Sequence, residues 1–275
     1  FNNIPTWDNG QWTVTDFESR KLFSDFIFGL FKEPGEYNFN ETSLLFNKQG
    51  ELFRENKVYC TAPFKSKDFV NYWDDQKLKC RKGIIFKSKD DTWFITRDYY
   101  MWLNFLPIFD KEQQKFDFAK IRDAQYHMAL YELLAELNYK HVAILKKRQI
   151  ASSYFHISKL LNQLWFEEGV TLKMGASLKD YINEKGSWKF LAEYASFLNQ
   201  HTAWYRPMNP DKILMWQQKI EIRKGDRSMD ATLYQGGGGQ VDYTPTALSY
   251  AGDLIQLADG RAGVLVNDYD AAALA

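Results

Sequence analysis

A short apolar run followed by a polar turn and an amphipathic segment constrains the fold of this chain more than any other feature. The run consists of Val142, Ala143, Ile144 and Leu145, a length that suits a buried strand of a parallel sheet. Downstream, apolar residues recur at helical spacing, and these are Ile157, Leu160, Leu161, Leu164 and Trp165. The pattern therefore predicts a strand at 142–145, a turn, and a helix at 153–166.

The turn stands where a phosphate-binding loop would stand. Set against the pattern G-x-x-x-x-G-K-[ST], Lys146 and Ala151 replace the two glycines, Ser152 replaces the lysine, and Ser153 keeps the hydroxyl. Backbone N–H groups at a helix N-terminus cradle phosphates, and an ammonium from Lys146 or Lys147 would neutralise them. Ala151 is compatible with such a loop if its φ is negative.

This loop resembles the P-loop of phage large terminases, the ATPase motors that package DNA into capsids. The residues that carry the resemblance are Arg148, Gln149, Ile150, Ala151, Ser152 and Ser153. In some terminases the lysine lies at the beginning of the loop, a position held here by Lys146 or Lys147. The resemblance implies that residues 146–153 bind ATP, and that the Ser153 hydroxyl is a ligand of Mg²⁺.

The flanking segments keep the order of the same family over residues 90–225. An aromatic stretch at 95–105 precedes the core, and Gln125 stands where the family has a glutamine that recognises the adenine edge. The alternative for Gln125 is a solvent-exposed position on a helix predicted at 118–138. Downstream, a strand at 171–174, a helix at 187–199 and a strand-like segment at 217–222 follow in the order of the family.

The resemblance implies an ATP-binding segment of a DNA-packaging motor. Such a segment would bind ATP and Mg²⁺, act on double-stranded DNA, and assemble with a phage portal and a small terminase in the host cytoplasm. Phosphoryl transfer also requires a carboxylate that holds the metal and a group that positions water. No convincing Walker B carboxylate, catalytic glutamate or nuclease acidic cluster is found in this sequence. The segment is therefore predicted to be incomplete for hydrolysis, and whether it is an enzyme stays open.

The predicted fold class is α/β, with a P-loop-like parallel sheet flanked by helices. Residues 1–100 are expected to form a mixed, strand-leaning region that includes a hairpin of strands 83–87 and 92–96. Residues 101–228 would form the ATPase core segment, because strands alternating with helices are typical of parallel βαβ units. Residues 229–275 would form a small β-rich tail.

The boundary at Met229 is marked by charge and composition. The tail has one basic residue, six aspartates, seven of the sixteen glycines and no Phe, Trp or Lys, so its net charge of −5 offsets +5 in the body. Segments 229–232, 241–245, 251–253 and 263–266 resemble the start of a phage capsid-decoration protein. That resemblance implies a fused or composite chain. The alternative is a glycine-rich linker followed by an ordinary β-hairpin.

Composition and spacing exclude several other classes. There is no run of about 18 apolar residues, so no membrane-spanning segment is predicted. Cys60 and Cys80 lack metal-ligand spacing, and the four histidines have no evident nucleophile beside them in the sequence.

Two alternative functions stay open. One is a structural virion or capsid-decoration protein; the other is a non-enzymatic nucleic-acid binder that uses the basic, aromatic-rich body.

The change of composition at Met229 predicts that the tail can be removed. Limited proteolysis should cut within the glycine run 236–239, because glycine restrains the backbone least. A chain ending at Arg227 should melt close to the temperature of the whole chain. Loss of the body's cooperative unfolding on truncation would instead show that the tail supplies a structural strand.

Overall fold

The computed structural model describes residues 4–8, 11–14, 16–32, 36, 46–87, 91–110, 115–144, 150–167, 171–176, 187–206, 217–224, 227–235, 254–256 and 262–264. The helices in these ranges are α1 (Phe17–Phe28), α2 (Lys48–Asn56), α3 (Lys67–Lys82), α4 (Arg97–Phe105), α5 (Asp123–Leu137), α6 (Ser152–Phe166) and α7 (Ser187–His201). The strands are β1 (Trp7–Asp8), β2 (Gln11–Trp12), β3 (Ile84–Lys87), β4 (Thr92–Ile95), β5 (Ile108–Asp110), β6 (Lys115–Asp117), β7 (Thr171–Ala176), β8 (Gln217–Lys224), β9 (Arg227–Gln235), β10 (Leu254–Gln256) and β11 (Ala262–Val264).

Most of the described strands pair only with their neighbour in sequence. β1–β2, β3–β4, β5–β6 and β10–β11 are antiparallel two-stranded pairs. The remaining three form one sheet in the order β7–β9–β8, in which β9 is parallel to β7 and antiparallel to β8. Two-stranded hairpins need helices packed against them for stability, so helix packing dominates this fold.

Local sequence signals account for several of the helix ends. Asp16, Ser66 and Thr96 are N-cap residues whose side chains accept a hydrogen bond from a backbone N–H in the first turn of α1, α3 and α4. Gly83 ends α3 with φ of 78°, and its N–H donates to Lys79. A Cβ at Gly83 would lie 2.3 Å from the Ile95 carbonyl oxygen, so only glycine fits this turn into β3.

Helix α4 is the centre of the core. All nine of its residues are buried, polar ones included, and it contacts α2, α3, α5 and α6. Its large side chains are packed among other aromatic residues. The Trp102 and Phe155 rings, for example, lie 5.8 Å apart. Since α6 also packs on α7, and α1 on α5, these helices surround α4.

A buried asparagine ties α4 to the chain before it. The Asn104 side chain donates to the carbonyl oxygens of Phe46, at 2.7 Å, and Tyr100, at 2.9 Å. Its Oδ1 accepts from the Gln49 backbone N–H at 3.0 Å, and its own carbonyl accepts from the Tyr59 hydroxyl. These bonds fasten the start of α2 to the last turn of α4.

The predicted α/β fold class is wrong. The described part is mainly helical, and no P-loop-type parallel sheet is present in it. Residues 141–144 are irregular and pair with no strand, while Leu145 lies outside the described residues. Val142 and Ile144 are half-buried and Ala143 is exposed, so the described part of this run lies at the edge of the core, against which Ile144 packs. Helix α4 occupies the central position that the prediction gave to strands. The prediction that residues 1–100 lean towards strands is also wrong, because α1, α2 and α3 are the main elements of the described part of that region.

Several individual elements were predicted correctly. The 83–87 and 92–96 hairpin is confirmed as β3 and β4, with Ile84 opposite Ile95. The helices predicted at 118–138, 153–166 and 187–199 are α5, α6 and α7, and the strands predicted at 171–174 and 217–222 are β7 and β8. The prediction of α5 placed its N-terminus five residues too early.

The predicted boundary at Met229 falls inside β9. Asp230 lies opposite Thr171 of β7 and Glu221 of β8, so residues on both sides of the boundary share one strand. The division into three regions stays a prediction, and the proteolysis and truncation described above test it.

Replacement of Asn104 by alanine should lower the free energy of unfolding by about 2–5 kcal/mol, because it leaves buried backbone groups of Phe46 and Gln49 without partners. Denaturant titration measures the change. Asn138→Ala is the matched control, since the exposed Asn138 side chain bonds to Leu134 and Ser24 and its loss should cost under about 1 kcal/mol. Equal effects of the two substitutions would contradict the role of Asn104.

Candidate functional site

The N-terminus of α6 is the part of the predicted loop that the structure describes. Residues 145–149, which include Lys146, Lys147, Arg148 and Gln149, lie outside the described residues. Ile150 and Ala151 are half-buried, Ser152 is buried and Ser153 is exposed. The exposed hydroxyl of Ser153 is therefore accessible to a ligand, whereas that of Ser152 faces the interior.

Ala151 adopts the left-handed conformation, with φ of 58° and ψ of 20°. The condition stated from the sequence for Ala151 to suit a P-loop, a negative φ, is therefore not met. This conformation costs a non-glycine residue roughly 1–2 kcal/mol. Ala151 stands where the P-loop pattern has its second glycine, so the backbone here has a conformation that glycine adopts freely.

Gln125 lies against this loop. It is 4% exposed, which rules out the solvent-exposed alternative, and its Nε2 donates to the Ile150 carbonyl oxygen at 2.8 Å. Its Oε1 accepts a long, 3.5 Å hydrogen bond from the Tyr99 hydroxyl. The residue predicted to recognise adenine and the end of the predicted phosphate loop are thus in direct contact, and the Gln125 amide N–H is committed to the loop.

A serine, a histidine and a glutamate meet beside the loop, which sequence spacing did not reveal. His156 Nδ1 lies 3.1 Å from Ser152 Oγ and 2.7 Å from the Ser152 carbonyl oxygen, while Nε2 lies 2.7 Å from Glu132 Oε1. A carbonyl only accepts, so Nδ1 carries a proton and cannot take one from Ser152. These contacts join α5 to α6 through His156 and do not activate a nucleophile.

Glu132 belongs to a larger buried charge cluster at the α4–α5–α6 junction. Lys159 pairs with Glu132 at 2.7 Å and also with Glu136. Arg97 pairs with Glu167 at 2.5 Å and approaches Glu136 at 3.5 Å and Asp98 at 3.6 Å. Four carboxylates therefore share two strong cations and His156.

Burial dominates the titration of two of these carboxylates. It raises the pKa of Glu167 to about 7 and that of Asp98 to about 6, against the opposing effect of Arg97. Burial also acts on Glu132, yet the bonds from His156 and Lys159 hold the pKa of Glu132 below its usual value. The cluster titrates as a coupled unit, and its excess of negative charge favours proton uptake.

An apolar cavity of about 650 Å³ lies next to the loop. Its walls are Phe28 at the end of α1, Phe31 shortly after it, and one face of α5. Ile144 and Ile150, on either side of segment 145–149, also line it. Phe31, Met128 and Tyr131 are among the lining side chains, and His127 contributes a polar group. Its size lies within the range of about 300–1,000 Å³ that is usual for small-ligand pockets.

Metal ligation has little support in the described part of the chain, where no group of three or more His, Cys, Asp or Glu side chains is placed to hold a metal ion. The Ser153 hydroxyl would need ligands from the nucleotide itself or from water. Among the described helices, none has the length and apolar character needed to cross a membrane.

Comparison with known proteins yields no match, whether with protein-family models, curated proteins or solved structures.

The two raised pKa values predict an unusual pH dependence of stability. Glu167 and Asp98 bind protons more tightly folded than unfolded, so their contribution to stability increases as the pH falls from about 8 to about 5. Glu167→Gln, which mimics the protonated acid, should reduce this increase by up to roughly 3 kcal/mol. Thermal melts across this range measure it.

Glu193→Gln is the matched control, because Glu193 is exposed and lies 3.7 Å from Lys189 on α7. It should leave the pH profile unchanged. A profile that is identical in the Glu167→Gln variant and the original chain would contradict the assigned titration.

Proposed function

We propose that this chain is the ATP-binding segment of a phage DNA-packaging motor, a terminase large subunit, and that ATP binds at the N-terminus of α6. By the same proposal it acts with Mg²⁺ on double-stranded DNA in the host cytoplasm, together with a portal and a small terminase. The observation that carries the proposal is the uncapped N-terminus of α6, which has no acidic residue in its first turn and lies next to the apolar cavity at Ile150. Gln125 is buried and bonded to Ile150, so in this proposal it holds the loop rather than contacting the adenine ring.

The helix terminus suits an anion. Ala151 provides no side-chain cap for α6, and the first turn contains no acidic residue. The first N–H groups of a helix lack intrahelical partners and lie at the positive end of its dipole. A phosphate group at this terminus would accept from these N–H groups, with Lys146 or Lys147 supplying a cation.

The apolar cavity suits the adenine ring. Ile144 and Ile150, the described residues on either side of segment 145–149, line it, so a nucleotide could reach from this cavity to the N-terminus of α6. Aromatic and aliphatic walls bury a flat ring, and a few polar groups fix its orientation. This arrangement needs a helix terminus and a basic loop, and it does not require a parallel sheet.

Hydrolysis is not part of the proposal. Among the described residues, Glu132 is committed to Lys159 and His156 and Glu136 is committed to Lys159, so these carboxylates are not free to hold Mg²⁺ or to position water. We infer binding of nucleotide without turnover by this segment alone, with the missing groups supplied from outside it.

Lys146→Ala should weaken ATP binding by about 10- to 150-fold, because it removes a charge-assisted contact of about 1.5–3 kcal/mol. Lys147→Ala should have the smaller effect if Lys146 contacts the phosphates. Ser153→Ala should reduce only the Mg²⁺-dependent part of the affinity. Calorimetric titration with ATP, with and without Mg²⁺, separates these effects.

Lys140→Gln is the control for charge, since exposed Lys140 precedes the predicted loop and strand. Unchanged affinity in both lysine variants, or no measurable binding by the original chain, would rule out this ATP site.

A further inference from the structure

A second cavity, of about 340 Å³, lies at the other end of α6. Its walls are one face of α3, the last two residues of α6, and residues 203–206 after α7. Six of the lining residues are aromatic, namely Phe69, Trp73, Trp165, Phe166, Trp204 and Tyr205. The cavity is therefore an aromatic pocket, separate from the apolar cavity beside Ile150.

The rings in this aromatic pocket meet edge to face. Trp204 lies 5.1 Å from Trp73 with an interplanar angle of 79°, and 5.0 Å from Phe166 with an angle of 86°. The planes of these pairs are thus not stacked on each other. These buried rings already pack against one another, so a flat ligand would stack on the exposed ring of Tyr205 at the mouth of the pocket.

One buried polar atom in the pocket wall lacks a partner. Trp73 is 6% exposed, and its indole Nε1 has no hydrogen-bond acceptor among the described residues. The neighbouring indoles are satisfied, since Trp165 donates to the Trp204 carbonyl at 2.8 Å and Trp204 donates to the Trp73 carbonyl at 3.4 Å. The Trp73 Nε1 atom is itself inaccessible to solvent, so a ligand in the pocket is held by ring contacts and by the charges at the rim rather than by this indole.

The charges at the rim favour an anionic ligand with an amino group. Lys77 and Arg206 both line the pocket, as does the exposed carboxylate of Asp74. Beyond Lys77, α3 continues with Lys79, Arg81 and Lys82. Phosphates would be attracted to this basic rim, while Asp74 can accept from an exocyclic amino group such as that of cytosine.

The pocket is open and its wall is held in place. Tyr205 is 69% exposed, so a chain can enter and leave past it. The Asn199 side chain accepts from the Arg206 N–H and donates to the Arg206 carbonyl, both at 2.8 Å. These bonds fix residues 203–206 against α7.

We propose that this aromatic pocket holds one unpaired base of a single-stranded nucleic acid, with Lys77 and Arg206 against the flanking phosphates. Single strands are bound in this way, by aromatic rings on which bases stack and by cations that follow the backbone. A base within a duplex is paired and stacked and does not reach the pocket. This site goes beyond the proposed ATP site and shares no side chain with it.

The test is the binding of a fluorescent single-stranded oligodeoxycytidylate to the whole chain, measured by anisotropy. Tyr205→Ala should weaken binding by about 5- to 150-fold, the factor that corresponds to one base–aromatic stack of about 1–3 kcal/mol. Lys77→Gln should weaken binding and reduce the slope of log affinity against log salt by about 0.7. Thermal melts confirm that each variant is folded.

Tyr139→Ala and Lys140→Gln are the matched controls, because both residues are exposed and lie outside the pocket lining. They should bind the oligonucleotide as the original chain does, and so should Lys146→Ala, which affects only the ATP site. The proposal is overturned by an absence of binding, or by affinities that neither Tyr205→Ala nor Lys77→Gln changes. Equal affinity for a duplex, or for free cytidine monophosphate, also overturns it.

Discussion

The buried guanidinium of Arg97 is the interaction on which the arrangement of the central helices depends. An unpaired charge in a protein interior is unfavourable by several kcal/mol, and Arg97 is also the first residue of α4, where the helix dipole disfavours a cation. Burial and the helix dipole are both offset when carboxylates lie close to the Arg97 guanidinium. Glu136 comes from α5 and Glu167 from the residue after α6, so a shift of either helix along α4 would take one carboxylate away from the guanidinium.

Helix α6 connects the two candidate sites. Its first residues form the terminus at which we place the ATP phosphates, and its last residues, Trp165 and Phe166, line the aromatic pocket. A helix of 15 residues is about 22 Å long. Lys159 and His156 fix its middle to α5, so the distance between the sites is set by one element that is restrained along its length.

Sequence reasoning succeeded where the signal was local and failed where packing decided the outcome. A polar turn between two short segments was enough for β3 and β4, and helical spacing was enough for α6, because these patterns express local geometry. The run at 142–145 has no such internal signal. Four apolar residues are compatible with a buried strand, a helix or a surface segment, and only the rest of the core decides among them.

The same distinction holds for individual site residues. Gln125 was predicted on the correct helix. Its contact with Ile150, which lies 25 residues further along the chain, cannot be predicted from local spacing. The Ser152–His156–Glu132 contact was missed, although the four-residue interval between Ser152 and His156 places them on one helix face and was readable. Glu132 could not be added to that pair without the packing of α5 on α6. The acidic excess around Arg97 likewise appears only once α4, α5 and α6 are packed together.

The paired hydrogen bonds between Asn199 and Arg206 have a consequence for molecular recognition. The Asn199 side-chain amide bonds to both the N–H and the carbonyl of Arg206. A neighbouring strand in a sheet satisfies the two backbone groups of a residue in the same way. The backbone of Arg206 is therefore already held in place in the unliganded chain. A receptor wall that is preorganised in this way needs little further ordering when a ligand arrives, so more of the contact energy remains as affinity.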